Sequence, residues 1–274
     1  MPASTFCVAA VQTVSGGDVA ANLEQIEPLI AQAADAGAKL VLLPEYFGLM
    51  GMRATDKLAA AERDGQGPQQ DFMARIAQRH SVYVVGGCVP MLSADPARVR
   101  SACLVYDPQG ERVARYDKIH LFAFSDGAER YDEAQTIDPG DRAVAFESPW
   151  GRIALSICYD VRFPELYRSL GDLTLILVPA AFTVPTGKAH WSLLLRARAV
   201  ENLCHLVASA QVGEHENGRR TYGHSAVIDC WGAELAALPT GEGIAVGEID
   251  LERQARVRSE FPALEHRVLG RTVD

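Results

Sequence analysis

Short runs of β-branched and other apolar residues alternate with longer stretches in which apolar positions recur every third or fourth residue. Those two periods separate strand from helix. In the first half of the chain the pattern predicts strands over Phe6–Gln12, Lys39–Leu43, Val82–Cys88, Ala102–Tyr106 and Arg112–Tyr116, with helices over Val19–Ala36 and Gln69–His80. Asp107-Pro108-Gln109-Gly110 supplies turn chemistry between the last two strands. A polar, irregular stretch follows from Ser125 to Arg142. Beyond it the pattern predicts strands over Ile153–Ile157, Leu173–Val178, Leu206–Ala210, Ser225–Asp229 and Ile244–Ile249, and helices over Pro164–Leu170 and Ala189–Leu203. No Pro/Ser-rich linker and no fixed-period repeat divides the series. The expectation is one α/β domain over residues 1–274, its sheets carrying helices on their faces, with a tail from about residue 261.

Charge narrows the partners. Asp plus Glu number 35 against 26 Lys plus Arg, a formal net charge of −9, which argues against a nucleic-acid or anionic-membrane partner and for a small molecule. The longest apolar run, Leu173 to Val184, is interrupted by Thr and Pro and is too short to cross a bilayer. Cys7, Cys88, Cys103, Cys158, Cys204 and Cys230 form no C-x-x-C pair, and no His stands at zinc-ligand spacing from them, so no metal is expected. The first residues lack the basic and apolar regions of a signal peptide, which points to a reducing cytoplasm where thiols stay free. Cys7, Cys88, Cys103 and Cys204 lie inside apolar runs and read as core residues.

Three residues stand at strand ends, and open α/β sheets bind ligands at the carboxyl edge where Glu45 falls. Leu42-Leu43-Pro44-Glu45 sets a carboxylate after a buried strand; it serves either as an acid–base group or as a loop cap paired with a surface Arg. Tyr116-Asp117-Lys118-Ile119-His120 holds one of only four lysines, where a compact, titratable ammonium is available. Ile157-Cys158-Tyr159-Asp160-Val161-Arg162-Phe163-Pro164-Glu165 delivers a thiol to a strand end just before a helix start. A thiolate is stabilised beside a helix N-terminus, and the thiolate is the nucleophile; the alternative is a structural core Cys. Arg162 offers a bidentate fork for a substrate carboxylate, or else an ion pair with Glu165 or Asp160. Asp160 could equally serve His190 or His205.

Taken together, Leu-Pro-Glu45, Tyr-Asp-Lys118-Ile-His-Leu-Phe and Ile-Cys158-Tyr-Asp-Val-Arg-Phe-Pro-Glu resemble, in order and spacing, the three signature boxes of the nitrilase superfamily of carbon–nitrogen hydrolases. The resemblance implies a four-layer α-β-β-α sandwich and a Glu45-Lys118-Cys158 triad. It adds a second glutamate, Glu133, in Tyr131-Asp132-Glu133-Ala134, which would position Lys118 and the incoming water. The downstream text, Ala180-Ala181-Phe182-Thr183, Leu195-Arg196-Ala197-Arg198-Ala199 and Ala210-Gln211-Val212-Gly213, is similar to the Nit-type amidases, and more so to deaminated-glutathione amidases than to ω-amidases. Lys188 departs from that group, where a Pro is expected, and is expected to face the loop after Phe182.

What the resemblance implies is hydrolysis of the terminal carboxamide of a small carboxylate-bearing amide to acid plus ammonia through a Cys158 thioester. Glu45 would shuttle the proton, and Lys118 with the Tyr159 backbone N–H would hold the oxyanion. Tyr46, Tyr159, Arg162, Phe182 and Thr183 would line the substrate pocket. No cofactor is implied, and a homodimer is. A nitrilase or an N-carbamoyl amidohydrolase would use the same triad; a non-catalytic scaffold of this fold would be expected to have lost a triad member.

Overall fold

The computed structural model describes residues 4–125 and 130–269, with Arg130 and Tyr131 described by their backbone alone. In chain order the first half holds β1 (Thr5–Gln12), α1 (Val19–Asp35), β2 (Ala38–Leu42), α2 (Asp56–Ala59), α3 (Pro68–His80), β3 (Tyr83–Leu92), β4 (Val99–Tyr106) and β5 (Arg112–Asp117). Two short strands, β6 (Ala123–Ser125) and β7 (Arg130–Asp132), precede β8 (Val144–Ser148), β9 (Gly151–Leu155), α4 (Pro164–Arg168) and β10 (Leu175–Ala180). The chain continues through α5 (Val184–Asn202), β11 (His205–Ala210), β12 (Val212–Glu214), β13 (Arg220–Tyr222), β14 (Ser225–Ile228), β15 (Glu234–Leu238), β16 (Gly243–Asp250) and α6 (Leu251–Glu260).

Two six-stranded mixed sheets result, ordered β16-β1-β2-β3-β4-β5 and β15-β14-β11-β10-β9-β8. Each has three parallel strands at its centre, β1-β2-β3 and β9-β10-β11, joined by crossovers that carry α1, α3, α4 and α5. Alternation along β1 shows how the layers stack. Val8 and Ala10 face a core shared with Leu155, Leu175 and Leu177 of the other sheet, whereas Ala9 and Val11 face Ile26 and Ile30 of α1 and Met73 and Ile76 of α3. Trp191, Leu195 and Ala199 of α5 cover the opposite side. This is the four-layer α-β-β-α sandwich.

The differences from the sequence pattern have local causes. Helix α5 starts at Val184, earlier than the periodicity of Ala189–Leu203 indicates, because Thr183 and Pro185 set extended-then-helical backbone at its first turn. Strand β15, Glu-Leu-Ala-Ala-Leu, has a helix-former's composition and is held extended by pairing with β14. Among the described residues, the polar stretch from Ser125 to Arg142 contains β7 and a 3₁₀ turn, Glu133–Gln135. Lys188 lies exposed in the second turn of α5. No helix among the described residues is long and apolar enough to cross a membrane.

Candidate active site

The strand ends converge. Glu45 follows β2 by three residues, Lys118 follows β5 directly, Cys158 opens a one-turn 3₁₀ segment (Cys158–Arg162) after β9, and Glu133 begins the 3₁₀ turn after β7. Glu45 and Lys118 are buried at 1% and 0% relative exposure, Cys158 at 8%. Lys118 Nζ donates to Glu45 Oε1 at 2.8 Å and to Glu133 Oε2 and Oε1 at 2.8 and 3.0 Å. Glu133 also accepts from the Phe122 backbone N–H at 2.8 Å and from the Tyr46 hydroxyl at 2.9 Å. Glu45 and Cys158 line one small cavity.

Burial alone would strip Lys118 of its proton, but Glu133 and Glu45 outweigh it and hold the ammonium well above its ordinary range. Burial likewise works against the Glu133 carboxylate, and Lys118 together with the donated hydrogen bonds keeps it below the usual value. The Cys158 thiol goes the other way. Burial and then the charge of Glu45 push it well above ordinary, against the smaller pull of Lys118 and a backbone hydrogen bond from Ala181. Stabilisation of a Cys158 thiolate by a helix N-terminus is therefore not what the fold provides: α4 begins only at Pro164, and burial together with Glu45 disfavours the charged form.

The elbow that carries the thiol is strained and braced. Cys158 has φ 51°, the left-handed region that non-glycine residues seldom adopt. Asp160, fully buried, accepts from the Ile157 N–H (2.8 Å), the Tyr116 hydroxyl (2.7 Å) and both the backbone and Nδ1 of His120 (3.2 and 2.7 Å). Its histidine partner is thus His120, which sequence reasoning left out, and neither His190 nor His205. From α5, Arg198 Nε donates to the Val161 carbonyl at 2.7 Å.

The small cavity, about 10 Å³, is lined by Glu45, Cys158, Tyr159, Arg162, Phe182 and Thr183 among others. A wider cleft of about 670 Å³ meets it at Phe122, Glu133 and Arg219. Of the expected pocket residues, Tyr46 lies in the wide cleft and the other four in the small cavity. Among the described residues Arg162 makes no ion pair with Glu165 or Asp160; its guanidinium lies over the rings of Tyr159 and Phe182 at 5.7 and 5.4 Å and contacts His190 Nδ1 at 3.4 Å. Two neighbours went unforeseen. Cys88, expected as mere core, accepts from the Tyr46 N–H at 3.2 Å and lines the cleft, its thiol pushed up to about 12 by burial and Glu45. Arg219 donates to the Ala181 carbonyl at 2.9 Å and lies 5.4 Å from the Tyr46 ring centroid.

A carbon–nitrogen hydrolase family model matches residues 7–259. The chain belongs to this family. It is 40% identical over 96% of its length to a deaminated glutathione amidase of Synechocystis sp., covering 98% of that protein. To the omega-amidase NIT2 of Mus musculus it is 34% identical, over 96% of this chain and 95% of that one. The solved structure of Nit3 from Saccharomyces cerevisiae, a member of branch 10 of the nitrilase superfamily, superposes with a TM-score of 0.85 at 28% identity, covering 94% of each chain. The chain is a hydrolase acting on amides.

Proposed function

We propose that the chain hydrolyses deaminated glutathione or a related ω-amide through a Cys158 thioester. One observation carries the mechanism: a neutral thiol and a buried carboxylate share a cavity, with a charged ammonium hydrogen-bonded to that carboxylate. Glu45 takes the thiol proton as sulfur attacks the amide carbon. Lys118 and the Tyr159 backbone N–H face the charge that develops on oxygen, a kind of donor whose individual loss typically costs on the order of 10²–10³ in rate. The C–N bond then breaks as Glu45 returns the proton to the departing nitrogen. Water attacks the thioester, Glu45 accepts its proton, and the acid leaves with the thiol restored. Glu133 fixes Lys118 for both halves. Arg162 takes a carboxylate of the acyl group, since its fork stands at the Cys158 cavity and forms no ion pair among the described residues.

For α-ketoglutaramate, a primary ω-amide, the departing nitrogen is ammonia, whereas deaminated glutathione, a secondary amide, releases cysteinylglycine. Turnover is therefore measured as α-ketoglutarate formed from both substrates, beside ammonia from a nitrile and from a carbamoyl amino acid, in wild type and Cys158→Ala. Hydrolysis of the amides that vanishes in Cys158→Ala is the expected result. Equal activity in the variant would sink the mechanism, and activity confined to the nitrile or the carbamoyl compound would sink the amide preference. We further propose a cytoplasmic homodimer, which sedimentation of the purified chain tests.

A further inference from the structure

The wide cleft extends past the triad to a cation that the mechanism does not use. Lys57, on α2, is half-buried and lines the cleft with Tyr46, Asn217 and Arg219, while the small cavity around Cys158 does not include it. Its ammonium stands 5.9 Å from the Tyr46 ring centroid and makes no ion pair or hydrogen bond with any described residue. Arg219 lies over the same ring. Among the described residues the carboxylates of this region have other partners: Glu133 holds Lys118, Tyr46 and Phe122, Asp132 accepts from Gln135 Nε2, and Asp56 pairs with Arg53. Burial pulls the Lys57 ammonium below its ordinary value, as expected of a charge short of a counter-ion. About 670 Å³ is also far more room than a compact ω-amide fills.

We propose that the wide cleft binds the amine half of the substrate and that Lys57 is its anion receptor. The preferred class is then linear amides whose departing amine is an amino acid or short peptide ending in a free carboxylate. The acyl half sits against Cys158 and Arg162, and the second carboxylate reaches Lys57. This assignment rests on the amidase function proposed above. Lys57 is a specificity residue outside the proton-transfer cluster, so its loss should weaken binding of one substrate class and spare the chemistry.

Three probes decide it: deaminated glutathione, the same compound with its terminal carboxylate capped as an amide, and α-ketoglutaramate. Wild type should show a lower KM for the free carboxylate than for the capped compound, a comparison that needs no variant. Lys57→Met should raise KM for the free-carboxylate probe by about ten- to a hundredfold, the size of a lost charged hydrogen bond, with kcat within about twofold. The capped probe and α-ketoglutaramate should keep their KM values, and Lys57→Arg should recover most of the loss. Equal wild-type KM for free and capped probes, or a variant that shifts all three or none, overturns the role of Lys57. Failure of wild type to exceed Cys158→Ala on every probe overturns the amidase function itself, and this proposal with it.

Discussion

At the scale of single residues, charge counting explains why a thiol is held neutral in a nucleophile's place. Ionising Cys158 alone would add a negative charge beside Glu45 and Glu133; passing its proton to Glu45 leaves the total unchanged. In the proposed mechanism the nucleophile thus forms as the proton moves, and Glu45 both disfavours the free thiolate and makes its attack possible. Glu45→Gln separates the two effects. Because the charge of Glu45 is, after burial, the main influence raising the thiol, the variant should ionise Cys158 at lower pH than wild type, read from ultraviolet thiolate absorbance against a Glu45→Gln/Cys158→Ser control. Turnover should nevertheless fall by about 10²–10⁴, the usual contribution of a general acid–base. A variant whose thiol ionises no more easily, or which keeps its kcat, contradicts this account.

At the scale of elements, the cluster depends on backbone that approaches where no side chain fits. A Cβ on Gly87 of β3 would stand 2.2 Å from the Pro44 carbonyl oxygen and 2.6 Å from the Glu45 nitrogen, and one on Gly140 would stand 2.1 Å from the Asp117 carbonyl oxygen, next to Lys118. Gly87→Ala must push the Glu45 peptide, so kcat should drop on the order of 10² with about 1–3 kcal/mol of stability lost by overpacking, measured by kinetics and urea unfolding; full activity would show that Glu45 is not fixed from this side. The left-handed backbone of Cys158 gives a second check. Of two inactive variants, Cys158→Gly should unfold about 1 kcal/mol later than Cys158→Ala, because glycine carries no penalty at φ 51°. Glu45 and Cys158 stood out in the sequence because each follows an apolar strand, and Lys118 because lysines are few; the strand order then brings the three together. Glu133 lies in a polar stretch and was reachable only through the family resemblance. Arg219 and His120 gave no signal: Arg219 reaches Ala181 from 38 residues away and His120 reaches Asp160 from 40, on the other sheet. Edge strands such as β15 were missed because pairing, not propensity, extends them. Gln211, by contrast, gained a reason: its Nε2 donates to the Glu45 carbonyl at 3.0 Å and to Ser15 Oγ at 2.8 Å, tying the Glu45 backbone to both sheets.

At the scale of the whole molecule, two buried histidines tie the sandwich together and set its response to acid. His205, at the start of β11, donates from Nδ1 to Gln254 Oε1 at 2.8 Å, and Gln254 Nε2 donates to the Leu173 carbonyl at 3.0 Å, which fastens α6 to the second sheet. Its Nε2 is buried with no hydrogen-bond partner among the described residues. His215 bridges the Ser15 carbonyl and Thr221 Oγ1 at 2.9 and 2.8 Å, joining the loop after β1 to β13. Burial lowers both imidazoles below their ordinary value, for His205 against the opposing hydrogen bond to Gln254. An unfolded chain protonates these rings near pH 6.5, the folded chain only at lower pH, so between those points the unfolded state binds more protons. Their contribution is complete above about pH 6.5 and is lost as pH falls through the folded values. A protonated His205 would bring an Nε2–H with no acceptor into the core, a cost that replacement by a group that does not titrate avoids. The urea midpoint of wild type should therefore fall from pH 7.5 to pH 5.5, and His205→Gln, though weaker at pH 7.5, should lose less over the same interval. Equal losses in the two proteins would place the acid sensitivity elsewhere than at the junction of β11 and α6.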